Sequence, residues 1–270
     1  MQLTSFKDRS TSSRHIFLSP HFDDVVYSCG GTLAVQVSNG LRPLVITVFG
    51  GIPPQGLMVS PFAFAVQKGM GASNLDPAAL MENRRKEDAA ALHFLNANYL
   101  WLDYLYAIYR GNPPYYTSDS QLIGGEVHPA DIDIDQQLAQ DLIELSDRLP
   151  DVVWYAPLAI GGDVDHQIVA SAVDRLVQRG ATVKLYEDFP AVLHKGTLEE
   201  RINTVGGAFE PVYVEMSEML PLRLEASEMY SSQVQLNFHD RNHMRKAMED
   251  YTHSIRPVQT VHLERYWIPG

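Results

Sequence analysis

The fold is decided by residues 15–51, HIFLSPHFDDVVYSCGGTLAVQVSNGLRPLVITVFGG. Residues 15–19 form a short apolar run typical of a buried strand, and residues 25–40 have the length of a helix with Gly40 as its stop. Residues 41–51 are rich in β-branched side chains and predict a second strand. A strand, a helix and a strand in this order form a βαβ unit, which implies a parallel sheet with a right-handed crossover.

The same alternation of strands and helices continues along the chain. Predicted strands cover residues 98–103, 151–157 and 182–190, and predicted helices cover residues 81–97, 133–149, 165–180, 221–236 and 239–253. Residues 52–80 and 110–131 contain proline and glycine turn signals and are predicted to be irregular. The pattern predicts an α/β fold in which residues 1–270 form one doubly wound domain around a mostly parallel sheet.

Composition argues against several classes of partner. The 270 residues carry 33 acidic and 21 basic side chains, a formal net charge of −12, which disfavours nucleic acids and anionic membranes. Cys29 is the only cysteine, no apolar run has the length of a membrane span, and the N-terminal residues lack the apolar core of a signal peptide. We therefore expect a cytoplasmic protein without nucleic-acid or membrane partners. The sequence leaves open whether the chain forms a homo-oligomer.

Two clusters of histidine and aspartate follow two of the predicted strands. His21, Asp23 and Asp24 come directly after the first strand, and GGDVDH, residues 161–166, comes after the strand at 151–157. Ligand sites in doubly wound sheets lie beyond the carboxyl ends of the strands, so both clusters are expected at one crevice. Imidazole and carboxylate together suit Zn²⁺, and a catalytic zinc takes three protein ligands and keeps one position for water.

The paired aspartates of the first cluster suggest a division of labour. Consecutive side chains point apart, which favours one of Asp23 and Asp24 as a metal ligand and the other as a base toward the water. Helix capping is the alternative for both clusters. Asp23 or Asp24 would then accept the free N–H groups of the first helix, and Asp163 or Asp165 those of the helix that follows them. The position of both clusters at strand ends favours the metal site.

The motifs SPHFDD, RRKEDAAAL and GGDVDHQIV resemble those of the PIG-L/LmbE-like metal-dependent de-N-acetylases, in the branch whose first motif reads Ser-Pro-His-x-Asp-Asp. Shorter matches at YEDFP, EASEMYSSQ and ERYW extend the resemblance over nearly the whole chain. It implies a Rossmann-like three-layer sandwich and a hydrolase that removes an N-acyl group, usually N-acetyl, from an amino sugar, glycoconjugate or secondary metabolite. It also implies His21, Asp24 and His166 as zinc ligands and Asp23 as general base. The sequence itself does not name the metal, and iron or nickel could take the place of zinc.

The resemblance also implies residues that hold this small-molecule substrate. Arg84 matches a position that helps to bind substrate in relatives. Glu87 follows three residues later, and either orients Arg84 or lies on an exposed face of the helix. Tyr106 stands where relatives commonly carry an acid that contacts sugar hydroxyls, so we assign it to substrate binding as well.

Asp163 departs from the family pattern. The second motif of the family normally reads His-x-Asp-His, and its first histidine is thought to steady the oxyanion or to protonate the leaving amine; here Asp163 takes that place. Three explanations remain open. Asp163 is a general acid whose pKa is raised by neighbouring carboxylates. Alternatively, His128, His194 or a tyrosine from the loops supplies the donor. Finally, the chain is a metal-binding homologue without turnover.

One loop is a candidate lid over the site. The segment PPYYT, residues 113–117, presents Tyr115 and Tyr116 in a stretch that is predicted to be irregular. Aromatic rings on loops often stack on sugars or aromatic groups. We expect these two tyrosines either to stack on the ligand or to belong to the core.

Overall fold

A computed structural model describes residues 1–3, 13–71, 76–149, 151–256, 258 and 260–270. Within these residues the strands form one sheet with the order β3-β2-β1-β4-β5-β7-β6. The strands are β1 His15–Ser19, β2 Leu44–Thr47, β3 Asn98–Trp101, β4 Val153–Pro157, β5 Thr182–Tyr186, β6 Phe209–Glu215 and β7 Leu263–Pro269. Strands β1 to β5 pair in parallel, whereas β7 is antiparallel to both β5 and β6. The predicted mostly parallel α/β sheet is confirmed.

Helices cover both faces of this sheet. They are α1 Asp24–Ser38, α2 Pro61–Gly69, α3 Pro77–Phe94, α4 Asp119–Leu122, α5 Ile132–Arg148, α6 Val164–Gln178, α7 Thr197–Val205, α8 Leu220–Glu228, α9 Ser231–Phe238 and α10 Arg241–Ser254. Buried side chains of α1, α3, α8, α9 and α10 pack on one face, and those of α5 and α6 pack on the other. This arrangement is the predicted three-layer sandwich. Among the described helices, none has the length and apolarity needed to cross a bilayer.

The strand order places a ligand crevice beside β1. From β1 the chain proceeds to β2 and β3 on one side of the sheet, and β4 and β5 lie on the other side. The order therefore reverses between β1 and β4, which pair in parallel. In open α/β sheets this topological switch point is where ligands bind, beyond the carboxyl ends of the strands.

The prediction of an irregular segment over residues 52–80 is wrong, because α2 and the start of α3 lie within it. Pro61 and Pro77, which served as turn signals, each occupy the first position of a helix. The missing N–H of proline costs nothing at that position, since the first N–H groups of a helix have no partner within it. The preceding Ser60 and Asp76 cap the two helices, accepting from backbone N–H groups at 3.0 and 3.3 Å.

The C-terminal third also differs from the prediction. The single helix expected over 221–236 is two helices, α8 and α9, and strands β6 and β7 were not predicted. Glu87 of α3 holds the start of α9 by accepting from the hydroxyl of Ser231, at 2.7 Å, and from the backbone N–H and hydroxyl of Ser232, at 3.0 and 2.6 Å. Glu87 therefore neither pairs with Arg84 nor lies on an exposed face.

Gly30 and Gly31 allow side chains to approach α1 closely. A Cβ atom on Gly31 would lie 2.8 Å from a carboxylate oxygen of Glu264, and one on Gly30 would lie 2.9 Å from the side chain of Arg223. Glu264 accepts from the backbone N–H groups of Gly31 and Thr32, both at 2.8 Å. The glycine pair is thus required by a buried ion pair that packs against the helix, in which Arg223 and Glu264 lie 3.1 Å apart.

The buried carboxyl of Asp88 in α3 should make the free energy of unfolding depend on pH. Its carboxylate is fully buried, accepts from Trp101 Nε1 at 2.6 Å and from the Tyr230 hydroxyl at 2.7 Å, and burial raises its pKa from 3.8 to about 7. The pKa of the Asp88 carboxyl is higher in the folded chain than in the unfolded chain. The free energy of unfolding therefore falls as the pH rises from 3.8, the pKa in the unfolded chain, to about 7, the pKa in the folded chain. The loss is on the order of 4 kcal/mol.

Asp88→Asn removes this titration while its amide still pairs with Trp101 and Tyr230. We expect urea unfolding at pH 5 and pH 8 to show a much smaller fall in stability for the variant than for the natural chain. Asp147→Asn, at a carboxyl whose side chain is 62% exposed, is the matched control and should keep the natural pH profile. Equal slopes for Asp88→Asn and the natural chain would contradict the assignment.

Candidate metal and active site

The turn after β1 presents the first cluster. The Ser19 hydroxyl donates to the carbonyl oxygen of His21 at 2.5 Å and accepts from the backbone N–H of Val25 at 3.1 Å. Asp23 occupies the cap position of α1, but its side chain makes no capping hydrogen bond. Ser19 therefore takes over the capping role, and the capping alternative is wrong for Asp23 and Asp24. Asp24 Oδ2 instead accepts at 2.6 Å from the backbone N–H of His21, which lies outside the helix.

Three side-chain atoms converge from the two clusters. Asp24 Oδ2 lies 3.5 Å from His21 Nδ1 and 3.3 Å from His166 Nε2. Two ligand atoms that each lie about 2.0–2.1 Å from a tetrahedral zinc are about 3.4 Å apart. The donor types and their spacing therefore fit a divalent cation. The same three residues form a group within which all ligand atoms lie within 4.8 Å of one another.

Each histidine of this group has a carboxylate behind it. His166 Nδ1 lies 2.7 Å from Asp188 Oδ1, and His21 Nε2 lies 3.0 Å from Asp165 Oδ2. Carboxylate partners of this kind fix the orientation and tautomer of metal-binding histidines. Asp165 is held in turn by Arg110, whose Nη1 donates to it at 2.5 Å.

Sequence reasoning did not assign roles to Asp188 and Arg110 or recognise Asp165 as a support for His21. A signal existed for Asp188, because it follows directly after β5 at the same edge of the sheet as the two clusters. Arg110 gives no such signal. It lies outside the strands and helices, and only the folded chain brings it to Asp165.

Asp23 lies beside the candidate metal ligands and pairs with Arg84. The Nη2 atom of Arg84 donates to Asp23 Oδ1 at 3.0 Å, and both side chains are buried. Burial and the neighbouring Asp24 carboxylate raise the pKa of Asp23, against the opposing effect of Arg84. The structure thus brings the predicted base and the predicted substrate-binding arginine together as one ion pair at the cavity wall.

Asp163 has a structural role as well as a place in the cavity. Its Oδ1 atom accepts from the backbone N–H of Asp165 at 2.8 Å, so it caps α6, and the capping alternative is confirmed for this residue. The side chain also lines the cavity beside His21 and His166. Burial raises the pKa of Asp163.

The alternative proton donors separate into two groups. His194 and Tyr106 line the cavity, and the Tyr106 ring lies edge-on to His21 with 4.7 Å between ring centroids. His128 instead stacks on Tyr115 at 4.2 Å and accepts from the backbone N–H of Ala130 at 3.2 Å. Among the described residues that line the cavity, His128 is absent.

Of the two alternatives for Tyr115 and Tyr116, the aromatic lid is wrong and packing against the core is confirmed. The hydroxyl of Tyr116 donates to Asp131 at 2.7 Å, and only 2% of this residue is exposed. Tyr115 stacks on His128, and neither tyrosine is among the described residues that line the cavity. Residues of α2, α4 and α9, together with segments after β4 and β5, line an open cavity of about 620 Å³ above the two clusters.

The part of the chain that carries both clusters matches a known family. A model of the PIG-L family, described as GlcNAc-PI de-N-acetylase, matches residues 16–177. The chain belongs to the PIG-L family. The matched range contains His21, Asp23, Asp24 and His166, and it ends in α6 before the strand that leads to Asp188.

Two curated relatives of this chain are 2'-N-acetylparomamine deacetylases. A 2'-N-acetylparomamine deacetylase of Niallia circulans is 32% identical over 65% of this chain and 66% of its own length. A 2'-N-acetylparomamine deacetylase of Streptomyces fradiae is 27% identical over 98% of this chain and 93% of its own length.

Solved structures with the same fold include teicoplanin deacetylases. The zinc-inhibited form of teicoplanin deacetylase Orf2 has a TM-score of 0.78 and 26% identity, covering 95% of this chain and 97% of that one. A deacetylase–teicoplanin complex has a TM-score of 0.76 and 26% identity, covering 95% and 98%. Fold and family together make this chain an amide-hydrolysing enzyme of the de-N-acetylase type, and they disfavour the alternative of a homologue without turnover.

Proposed function

We propose that this PIG-L protein is a zinc-dependent de-N-acetylase in which residues 1–270 form one catalytic domain. Its substrate is an N-acetylated amino sugar within a small glycoconjugate or secondary metabolite. The observation that carries the proposal is the spacing of 3.3–3.5 Å around Asp24 Oδ2, next to the buried carboxylate of Asp23. The substrate class follows the relatives, which are 2'-N-acetylparomamine deacetylases and a teicoplanin deacetylase.

The proposed roles divide the first cluster into ligands and base. His21, Asp24 and His166 hold the zinc, with Asp165 and Asp188 keeping the two imidazoles in place. Zinc, when bound, lowers the pKa of its water from about 15.7 toward about 7 and polarises the amide carbonyl. Asp23 takes the proton of the attacking water, and its pKa, raised by burial, brings it closer to the working pH of a base.

Asp163, Arg84 and Tyr106 complete the proposed site. The N–H of Asp165 occupies one oxygen of Asp163, and a proton on the other oxygen would pass to the leaving amine. The raised pKa of Asp163 supports this protonated form. Arg84 orients Asp23 and borders the substrate, and Tyr106 contacts the sugar from the wall beside His21.

The test is release of amine and acetate from metal-replete protein. We expect the purified chain, loaded with zinc, iron or nickel in parallel, to deacetylate members of a panel of acetamido sugars and N-acetylated aminoglycosides. Chelator treatment should abolish the activity and one equivalent of metal should restore it. Stoichiometric metal without any product would instead support the non-hydrolytic homologue, and failure to bind any metal would overturn the proposal.

A further inference from the structure

Helix α2 and the residue that follows it present apolar side chains to the cavity as well as to the core. Phe62, Ala65, Val66 and Met70 follow one another at helical spacing, and all four line the cavity. Residues spaced in this way share one side of a helix. The fully buried Ala63 lies on another side of α2 and packs into the core.

Apolar side chains also line the cavity opposite α2. Leu122 and Ile123 lie in and just after α4, and Leu236 lies in α9; all three line the cavity. Ile123 is 47% exposed and Leu236 is 41% exposed. Leu236 also reaches α2, since a Cβ atom on Gly69 would lie 2.8 Å from its Cδ1. The upper walls are therefore mainly apolar, with Asp119, Gln233 and Asn237 as their polar members, whereas the floor at the strand ends carries the metal-site histidines and carboxylates.

An apolar surface of this kind favours an apolar ligand group. Exposed apolar side chains that converge on a cavity mark binding sites, because covering them releases water from apolar surface. A wholly polar amino sugar would occupy the floor and leave the helical walls in contact with water. The walls are continuous with the floor, so one ligand would meet both surfaces.

We propose that the natural substrate carries an alkyl or aryl group that packs against the apolar face of α2 and against Leu122, Ile123 and Leu236, while its amide lies at the metal-site floor. This inference rests on the proposed deacetylase function and narrows its substrate class to amphiphilic compounds. The apolar group has two chemical sources. It is either the acyl chain of the amide or a substituent attached elsewhere on the sugar, and the test below separates them.

Binding of non-hydrolysable ligands tests the proposal without relying on turnover. Calorimetry on the zinc-loaded protein would compare methyl with octyl glucosaminide for the substituent, and N-ethyl- with N-octyl-glucosamine for the acyl chain. Each buried methylene contributes about fourfold in affinity. We expect the octyl compound of at least one pair to bind at least tenfold more tightly, and the pair that shows the gain identifies the source. Differences below twofold in both pairs would overturn the proposal.

Substitutions of two leucines with similar exposure test whether the cavity wall causes the tighter binding of the octyl compounds. Leu236→Ser changes the cavity wall, whereas Leu222→Ser changes a leucine of α8 that is 40% exposed and does not line the cavity. We expect Leu236→Ser to reduce the octyl preference by about fivefold or more and Leu222→Ser to retain it. Equal behaviour of the two variants would place the apolar contact elsewhere and overturn the proposal. If the protein bound the octyl compounds more tightly but hydrolysed no amide, only the proposed deacetylase function would be rejected. If it hydrolysed amides without binding the octyl compounds more tightly, only the inference of an apolar substrate group would be rejected.

Discussion

Asp24→Asn is expected to lower zinc affinity at least about 100-fold and to abolish amine release with it. Asp24 Oδ2 is the atom that lies near both imidazoles, at 3.5 Å from His21 Nδ1 and 3.3 Å from His166 Nε2. Loss of an outer carboxylate partner of a metal-binding histidine already costs about 10- to 100-fold in affinity, so loss of a direct ligand charge should cost more. Competition with a chromogenic chelator measures the affinity independently of catalysis.

The control must remove a carboxylate from the same cavity without touching the proposed ligands. Asp119 begins α4 and lines the cavity wall, so Asp119→Asn removes a charge of the same type. We expect zinc affinity to change less than about threefold in this variant, because exposed charges are screened by salt. If Asp24→Asn bound zinc as tightly as Asp119→Asn, Asp24 would not be a ligand. Far-ultraviolet circular dichroism of both variants checks that the fold is retained.

The sheet and the location of the site could be predicted because they depend on short-range patterns. The apolar runs that became β1, β2 and β4 are interrupted by helices of ordinary length, and this alternation restricts the topology to a parallel sheet. Because β1 and β4 are parallel neighbours, the polar residues that follow them lie close together at the edge of the sheet where both strands end. The convergence of Asp24 with His166, 142 positions apart in sequence, follows from that rule.

The cavity walls could not be predicted by the same reasoning. Proline at the first position of α2 reads as a turn signal until the cap at Ser60 is considered. The apolar stripe of α2 faces a cavity, and a sequence pattern does not distinguish that orientation from one that faces a core. The partners of Glu87 illustrate a related difficulty, since Ser231 and Ser232 lie about half the chain away and are brought to α3 only by the packing of α9.

Asp163 serves both as a helix cap and as part of the cavity wall. Its side chain caps α6, as any aspartate before a helix would, and it also lines the cavity. A histidine at this position would present a different donor to the cavity. The carboxyl group can replace it as a proton donor only in its protonated form, and burial raises its pKa in that direction.

Asp23→Asn is expected to reduce kcat by about 10²- to 10⁴-fold while zinc affinity stays close to that of the natural chain. The variant keeps the shape of the side chain and an oxygen for Arg84, whose Nη2 lies 3.0 Å from Asp23 Oδ1. It removes the group that accepts the proton. The two adjacent aspartates would thus have different effects. Asp24→Asn loses both zinc binding and activity, whereas Asp23→Asn loses activity alone. A parallel loss of metal in both variants would contradict the division into ligand and base.

The pH dependence of kcat/KM distinguishes Asp23 from Asp163. A base must be ionised, so the rate falls as the pH drops through the pKa of Asp23; an acid must be protonated, so the rate falls as the pH rises through the pKa of Asp163. We expect Asp23→Asn to lose the acidic limb and Asp163→Asn to lose the basic limb. If Asp163→Asn left the basic limb unchanged, the donor would be His194 or Tyr106, the other two candidates that line the cavity. Burial raises the pKa of Asp23 and that of Asp163, so we expect both limbs above the pH range in which exposed carboxyls titrate.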